Sequence, residues 1–230
     1  MTRDRKDMVE EQSTALVPVP SKGLSLNKTK NMLVSAIARG RAAAGGYVPH
    51  LGLAEVRAMA EAVSKASRNG ERDRLLILTL FDGCLRVSEA LALRPKDIKR
   101  DGEGWHLEVF GKGRKPGVAA ISPSLAAELQ SYAYRKELAL DDRLFPVKRA
   151  RAFQICELAM VAAGVSKPDH VGACHVLRHS GAIERLKVTG NPKAVQEQLR
   201  HSTALMTMRY LKTLSVEESL RIQEQVDFRW

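Results

Sequence analysis

The chain has 230 residues, of which 44% are hydrophobic and 27% charged, and its formal net charge is +11 at neutral pH. These values are typical of one globular core with at most a small second unit. The positive charge favours a polyanionic partner, because neutralised phosphates release counterions, but ribosomal, membrane-surface and nucleic-acid proteins all share it. Aromatic residues are only 5% of the chain, which excludes base stacking on aromatic side chains as the main mode of binding.

The cysteines and the hydropathy pattern indicate the compartment. Cys84, Cys156 and Cys174 are odd in number and show no C-x-x-C spacing. A disulfide framework is therefore not expected, and a reducing cytosol is favoured. The sequence shows no apolar run of transmembrane length, and its polar start lacks the apolar segment of a signal peptide. We therefore predict a cytoplasmic protein.

Residues 1–48 are predicted to form a basic, partly disordered arm, separate from a globular domain over 49–230. The arm contains V-P-V-P at 17–20 and then a basic helical pattern over 26–44, which Gly45 and Gly46 end. Two interpretations of its charges stay open: a solvated tail, or a segment that follows DNA phosphates. The cations concerned are Lys28, Lys30, Arg39 and Arg41.

Hydrophobic periodicity predicts two helices at the start of the globular part. Apolar residues recur at helical spacing over 53–63, and 74–81 is almost wholly apolar, as in a buried helix. Gly83 then permits a turn that leads to Arg86, which is expected against the core at the base of a short helix. Pro95 is expected to end that helix.

A β region is predicted at about 98–121. Trp105, Leu107 and Val109 alternate with polar neighbours, and a second short apolar run follows. Between the two runs, G-K-G-R-K-P-G at 111–117 indicates a glycine-rich hairpin. Its cations are Lys112, Arg114 and Lys115. The predicted fold class is therefore mainly α (α+β), a helical domain with a small antiparallel sheet or hairpin.

The rest of the chain is predicted to be helical, with ends marked by proline and glycine. Helices are expected to begin at Ser122-Pro123, to run from Phe153 to Ala163, to cover 175–188 and 192–199, and to carry Tyr210 after a turn at His201-Ser202. Beyond them, Ser215 and Glu218 have capping-box spacing, and Val216, Leu220 and Val226 form a sparse apolar stripe.

The residue types between Arg86 and Tyr210 suit the cleavage of a phosphodiester without a metal. Charge gathers on the phosphate oxygens in the transition state, and forked guanidinium donors suit it best. A tyrosine can attack if cations stabilise its phenolate, since its ordinary pKa is about 10. The departing oxygen must receive a proton. The tyrosine ester keeps the energy of the broken bond, so religation needs no ATP.

In their order along the chain, these motifs resemble those of the tyrosine recombinases, the phage-integrase-type site-specific recombinases. Four anchors carry the resemblance over about 51–220: L-R-V-S-E at 85–89, G-K-G at 111–113, H-V-L-R-H-S at 175–180, and L-R-H-S-T at 199–203 followed by R-Y-L at 209–211. One such fragment is weak, but the ordered set is highly specific.

The resemblance implies a role for each matching residue. Arg86 and Arg178 would clamp the scissile phosphate, and Glu89 would orient Arg86. His201 would donate a hydrogen bond to a non-bridging phosphate oxygen.

The same resemblance assigns the proton transfers. Tyr210 would attack and form a 3′-phosphotyrosine. His175 would take the tyrosine proton as general base and later return it, and Lys112 would protonate the leaving 5′ oxygen. No metal and no cofactor are implied.

The chain departs from the family's pattern in three respects. Cys84 and Arg200 stand where the family usually has glycine, and the charge of Arg200 either helps to bind phosphate or crowds the loop. Only about fifty residues precede Leu51, too few for the helical DNA-clamping domain of typical members. We therefore expect a short form with little or no core-binding domain, similar to the fimbrial phase-variation invertases. The basic helix over 26–44 would be a reduced clamp, or a partner would help.

The resemblance also implies partners and an outcome. Double-stranded DNA recombination sites would be synapsed by a homotetramer, with an accessory DNA-bending protein as a further partner and no membrane. The result would be DNA integration, excision, inversion or resolution at the nucleoid of a prokaryotic cell. The helix after Tyr210 would dock on a neighbouring subunit or pack on its own core, and the apolar stripe does not distinguish these arrangements.

Two other interpretations stay open. One is a DNA-binding protein that keeps the recombinase fold without cutting DNA, although the complete set of matching residues argues against it. The other is a metal site, but the sequence has neither an H-E-x-x-H motif nor paired cysteines. Its candidate ligands are Cys174, His175, His179 and His201. Type IB topoisomerases share the phosphotyrosine chemistry, but the spacing here fits the bacterial recombinases better.

Overall fold

The computed structural model describes residues 48–111, 116–201 and 207–214. Within them the chain forms helices around a large apolar core, together with one small sheet. The helices are α1 (Leu53–Ala66), α2 (Gly70–Asp82), α3 (Val87–Ala90), α4 (Pro123–Arg135), α5 (Arg149–Ala162), α6 (Ala173–Thr189), α7 (Pro192–Leu199) and α8 (207–214). The strands are β1 (Ile98–Asp101), β2 (Gly104–Phe110) and β3 (Pro116–Ala120).

Helices α1 and α2 pack against each other and begin the core. Helix α1 buries Val56, Met59 and Val63 on one face, as their spacing predicts. Helix α2 is apolar in its second half, where it buries Leu76 and Leu80, and it also packs against α6. Each buried leucine side chain contributes about 1.5–3 kcal/mol to stability. This packing holds the end of α2, where the candidate site begins, in a fixed position.

The sheet is antiparallel, with the strand order β1-β2-β3. Ile98 pairs with Leu107, Leu107 pairs with Ala119, and all three side chains are buried. The predicted sheet at about 98–121 is confirmed, and so is the mainly helical fold class. The sequence showed two apolar runs and no sign of β1, because only Ile98 of its I-K-R-D residues is buried and the strand has no alternating pattern.

The turn after α2 differs from the prediction. Gly83 has an ordinary φ of −71°, and the residue in the left-handed region is Cys84, with a φ of 48°. Helix α3 ends at Ala90 and not at Pro95, which instead begins a 3-10 turn over Pro95–Asp97. A proline fits there because the first residue of a helical turn needs no partner for its nitrogen.

Local capping signals fix the ends of the later helices, as predicted. Ser122 caps α4, since its Oγ accepts a hydrogen bond from the Leu125 N–H at 3.2 Å. Gly164 after α5 and Gly190 after α6 both have the left-handed conformation that ends a helix. Helix α7 has the predicted bounds, Pro192–Leu199.

A second apolar cluster joins α6, α7 and α8. It contains Ile183, Leu199 and Tyr210, one from each helix. Gly181 lets α6 approach the end of α2, since a Cβ there would lie 1.9 Å from the Phe81 carbonyl oxygen. The cluster therefore holds α8 and its tyrosine close to the turn that follows α2.

Several predictions concern segments outside the described residues. These are the basic arm with its helix over 26–44, the cationic loop at 112–115, the cap at 215–218 and the C-terminal apolar stripe. None of the described helices has the length and apolarity that crossing a bilayer requires.

Candidate active site

Arg86 lies at the start of α3, directly after the turn at Cys84. Its backbone N–H donates to Glu89 Oε2 at 2.8 Å, and its Nη1 donates to Glu89 Oε1 at 2.8 Å. The carboxylate thus fixes both the start of the helix and the direction of the guanidinium. The Arg86 side chain remains 40% exposed, so an anion can reach it from solvent.

The buried Glu89 carboxylate gathers three guanidiniums. Besides its bonds from Arg86, it accepts a hydrogen bond from Arg200 Nη2 at 2.7 Å, and Arg178 Nη1 lies 3.8 Å away. Burial by itself raises the pKa of Glu89, but the charge of Arg200 and the hydrogen bonds from Arg86 lower it below its ordinary value. We call Arg86, Glu89, Arg178 and Arg200 the arginine cluster.

Arg178 is buried, at 3% exposure, and it connects the turn after α2 to the end of α7. Its Nη1 donates to the Cys84 carbonyl oxygen, and its Nη2 donates to the Leu199 carbonyl oxygen at 2.7 Å. Burial, and after it the charge of Arg86, lowers the pKa of Arg178 to about 10. The group is therefore still charged at neutral pH.

Arg200 follows α7 with a φ of 53°, in the left-handed region that favours glycine. Its side chain runs beside β3, where a Cβ on Gly117 would lie 2.7 Å from Arg200 Cδ. Its Nη1 donates to the Gln198 carbonyl oxygen at 2.9 Å, and its side chain is 15% exposed. The charge that the sequence suggested for DNA contact thus lies within the arginine cluster, paired with Glu89.

Tyr210 lies on α8 and is almost completely buried, at 3% exposure. Its hydroxyl oxygen is 2.7 Å from Nδ1 of His179 on α6. Burial raises the pKa of Tyr210 to about 12, against the lowering effect of the Arg178 charge. In this structure Tyr210 is therefore a neutral phenol, hydrogen-bonded to a histidine.

His179 is the site residue that sequence reasoning missed, since the sequence suggested it only as a metal ligand. Burial lowers the pKa of His179 to about 4, and the electrostatic effects of His175 and then of Arg178 add to this shift. The ring is therefore neutral at neutral pH. A signal for it exists in the sequence, because it lies one helical turn after His175 and next to Arg178.

His201 contacts the same tyrosine through its ring. The ring centroids of His201 and Tyr210 are 6.2 Å apart, with the planes 13° from parallel. His201 Nδ1 lies 3.2 Å from Thr207 Oγ1, and burial followed by the charge of Arg178 lowers the pKa of His201 to about 4. We call His179, His201, Thr207 and Tyr210 the tyrosine pocket.

His175 lies at the solvent side of this pocket and is exposed. Its ring centroid is 6.0 Å from that of His179. Partial burial and the charge of Arg178 lower the pKa of His175 below its ordinary value. The structure therefore brings together the predicted residues Arg86, His175, Arg178, His201 and Tyr210.

The other predicted residues lie outside the described residues. They are Lys112, Arg114 and Lys115 of the cationic loop, and Lys28, Lys30, Arg39 and Arg41 of the basic arm. Among the described side chains, no group of three or more His, Cys, Asp or Glu is arranged to hold a metal ion. Cys174, a ligand of the alternative metal site, faces Cys156 in the core, with the sulfurs 3.6 Å apart.

The sequence model of the phage integrase family matches residues 50–217. The chain belongs to the phage integrase family. The resemblance to the tyrosine recombinases over about 51–220 is thereby confirmed, and all described residues of the arginine cluster and the tyrosine pocket lie within the matched segment.

Relatives and solved structures of this family agree. The tyrosine recombinase XerC of Bradyrhizobium diazoefficiens is 31% identical over 171 residues, which are 70% of this chain and 53% of that protein. That of Xanthomonas axonopodis pv. citri is 33% identical over 148 residues, 61% of this chain and 47% of that protein. The XerH site-specific recombinase in a post-cleavage complex with its difH substrate is 26% identical, with a TM-score of 0.63 over 76% of this chain and 53% of that one. The chain thus spans about half the length of the curated relatives that it matches.

Proposed function

We propose that this member of the phage integrase family breaks and rejoins DNA strands at specific sites through a covalent bond between Tyr210 and a 3′ phosphate. The observation that carries the proposal is the position of the Tyr210 hydroxyl, in a histidine-lined pocket next to the charge of Arg178. A phosphate that binds at the arginine cluster would meet a phenol of the same chain.

The arginine cluster supplies the charge for this reaction. Its three guanidiniums exceed its one carboxylate by two positive charges. A phosphate gains negative charge during in-line attack, so fixed cations stabilise its transition state more than its ground state. Arg86, which solvent can reach, and Arg178 behind it are the residues that would clamp the phosphate.

The histidines and the lysine would manage the protons. His201 uses Nδ1 toward Thr207, so its Nε2 is the nitrogen that would donate to a non-bridging phosphate oxygen. As the bond from Tyr210 Oη to phosphorus forms, the bond from phosphorus to the 5′ oxygen breaks. The phenol would give its proton to a histidine of the site, and Lys112 would give one to the 5′ oxygen. The ester keeps the energy of the backbone bond, so the reaction would need neither a metal nor ATP.

The experiment is covalent trapping on nicked duplexes, in which the short strand after the cleavage site diffuses away and prevents religation. The probes are duplexes cut from the DNA that flanks the gene and a pool of nicked duplexes with randomised arms. We expect the wild-type chain to form a denaturation-resistant adduct and Tyr210→Phe to form none. Tyr134→Phe is the matched control, because Tyr134 is a surface tyrosine that is 86% exposed. An adduct from Tyr210→Phe would refute the proposed nucleophile.

The partners follow from the same proposal. Double-stranded recombination sites would be bound by four copies of the chain, with an accessory DNA-bending protein where the site requires one. The cationic residues of the hairpin loop and the basic arm would contact phosphates, and the protein would act at the nucleoid. Sedimentation of the chain with trapped duplexes tests the assembly, since a complex of fewer than four copies on two duplexes would contradict a tetramer.

One observation favours a second candidate function, a DNA-binding protein that does not cut. Tyr210 is buried, and both terminal nitrogens of Arg178 already donate to backbone carbonyls. Under this alternative, wild type and Tyr210→Phe would bind the same duplexes and neither would form an adduct.

A further inference from the structure

The closest polar contact of the Tyr210 hydroxyl is with His179. The distance of 2.7 Å from Oη to Nδ1 is that of a strong hydrogen bond, and the ring centroids are 5.7 Å apart. His175, to which the family resemblance assigns the tyrosine proton, lies on the exposed side of His179 with its ring centroid 6.0 Å from the His179 ring. His179 therefore neighbours both His175 and the phenol.

We propose that His179 is the residue that takes the proton from Tyr210 during attack, and that His175 connects it to solvent. This inference rests on the proposed function and deepens it. As Tyr210 Oη bonds to phosphorus, its proton passes to Nδ1 of His179, which becomes an imidazolium. In the reverse step the same nitrogen returns the proton to the phenol as the 5′ hydroxyl attacks. The proton gained by the 5′ oxygen in the forward step comes from a separate donor, Lys112.

The surroundings of His179 keep a lone pair available on the ring. His175 and Arg178 act on it from α6, His201 acts from the end of α7, and Arg209 acts from α8. All four disfavour a positive charge on the ring, so His179 is neutral before the reaction and can accept a hydrogen bond from the phenol. A bound phosphate brings negative charge to the arginine cluster, which offsets part of this repulsion when the proton arrives.

Helix geometry explains why His179 and not His175 meets the tyrosine. The two histidines are four residues apart and share one face of α6. The second apolar cluster, which includes Ile183 of α6 and Tyr210 of α8, holds α8 against the part of α6 that follows Arg178. Tyr210 therefore contacts His179, which lies one turn further along α6 than His175.

The experiment compares adduct formation by His179→Asn and His179→Ala with that of wild type on a trapped nicked duplex, from pH 6 to pH 9. Asparagine places a hydrogen-bonding atom close to the position of Nδ1 but cannot take up the proton, so it retains a positioning role. His175→Asn is the comparison on the same face. His170→Asn is the matched control, because His170 is exposed and precedes α6, with a φ of 63° that asparagine tolerates.

We expect both His179 variants to form the adduct about 100-fold more slowly than wild type, since general base catalysis contributes at least this factor. Without a base the reaction requires the phenolate, so the rate of His179→Asn should rise about tenfold per pH unit while the wild-type rate stays nearly flat. DNA binding and thermal stability of His179→Asn are measured alongside, and we expect both to be near those of wild type.

Three results would overturn the inference. They are a His179→Asn rate equal to that of wild type, a slow rate with the flat pH dependence of wild type, and a steep pH dependence in His175→Asn alone. Failure of the proposed function would look different, because wild type itself would then form no adduct. In that case the proposed role of His179 would be refuted as well.

Discussion

The arginine cluster and the tyrosine pocket lie side by side but have opposite electrostatic states. In the arginine cluster the groups are charged, and each guanidinium either donates to Glu89 or donates to a backbone carbonyl. In the tyrosine pocket the groups are neutral, because burial lowers the pKa of both histidines to about 4 and raises that of Tyr210 to about 12.

The difference separates two tasks. Under the proposed mechanism, the charge that would meet a phosphate is fixed in advance by ion pairs, since guanidiniums hold their protons even when desolvated. The groups that would pass a proton are kept uncharged, so that one proton could move without leaving an unpaired buried ion. Arg178 belongs to the first region, and the next residue, His179, belongs to the second.

The largest effect is expected from removing the central charge of the arginine cluster. Glu89→Gln keeps the shape of the side chain but leaves three guanidiniums without their carboxylate. We expect the free energy of unfolding, measured by urea denaturation at pH 7.5, to fall by about 3 kcal/mol, as for other broken buried ion pairs. Adduct formation should fall with it.

The matched control for this variant is Glu61→Gln, which removes an exposed carboxylate from the surface pair with Lys65. Its expected cost is about 0.3 kcal/mol. If Glu89→Gln costs no more than Glu61→Gln, the carboxylate does not hold the cluster together.

The two regions should also respond to acid in different pH ranges. The folded pKa of His179 is about 4, below its ordinary value of 6.5. Between these values the unfolded chain binds a proton that the folded chain does not, so stability decreases as the pH falls from 6.5 to 4. The buried ring of His179 contributes a slope of at most about 1.4 kcal/mol per pH unit. The folded pKa of Glu89 lies below its ordinary value of 4.5. The stability that the Glu89 carboxylate adds is therefore fully present above pH 4.5 and is lost only at lower pH.

Urea denaturation at pH 7.5, 6.5, 5.5 and 4.5 measures this difference. We expect the slope between pH 6.5 and 4.5 to be smaller in His179→Asn than in wild type, and unchanged in Glu89→Gln. Equal slopes in wild type and His179→Asn would show that the tyrosine pocket does not hold this histidine neutral.

Short-range signals in the sequence predicted most of the fold. The start of α4 follows from its Ser122 cap, and the start of α7 follows from Pro192. The ends of α5 and α6 follow from Gly164 and Gly190, whereas α5 and α6 begin earlier than predicted. The prediction for α3 was wrong by several residues, because Pro95 begins a turn of its own and does not end the helix.

The contacts of the site were harder to predict because they join distant segments. Arg200 lies 111 residues after Glu89, and Tyr210 lies 31 residues after His179. Residue type also gave no warning at the two left-handed positions of the site, Cys84 and Arg200, since both carry a Cβ. Both stand where the family usually has glycine, which is consistent with their positive φ values, but the sequence analysis did not predict those values.

The smallest expected effect concerns the Thr207 hydroxyl, which contacts His201 Nδ1. Thr207 Oγ1 lies 3.2 Å from His201 Nδ1, so Nε2 is the ring nitrogen that would face a phosphate in the proposed reaction. Thr207→Val keeps the shape and removes this contact. We expect a loss of stability of about 1 kcal/mol, as for a typical hydrogen bond, and adduct formation about fivefold slower.

Thr79→Val is the matched control for this substitution, because Thr79 Oγ1 is buried and has no hydrogen-bond partner among the described residues. Removing that hydroxyl should leave the free energy of unfolding unchanged or raise it, since no bond is lost and a polar group leaves the core. A Thr207→Val variant that behaves like Thr79→Val in both stability and adduct formation would show that His201 is oriented by its stacking on Tyr210 alone. In that case the tyrosine pocket would depend on ring packing, whereas the arginine cluster depends on charge.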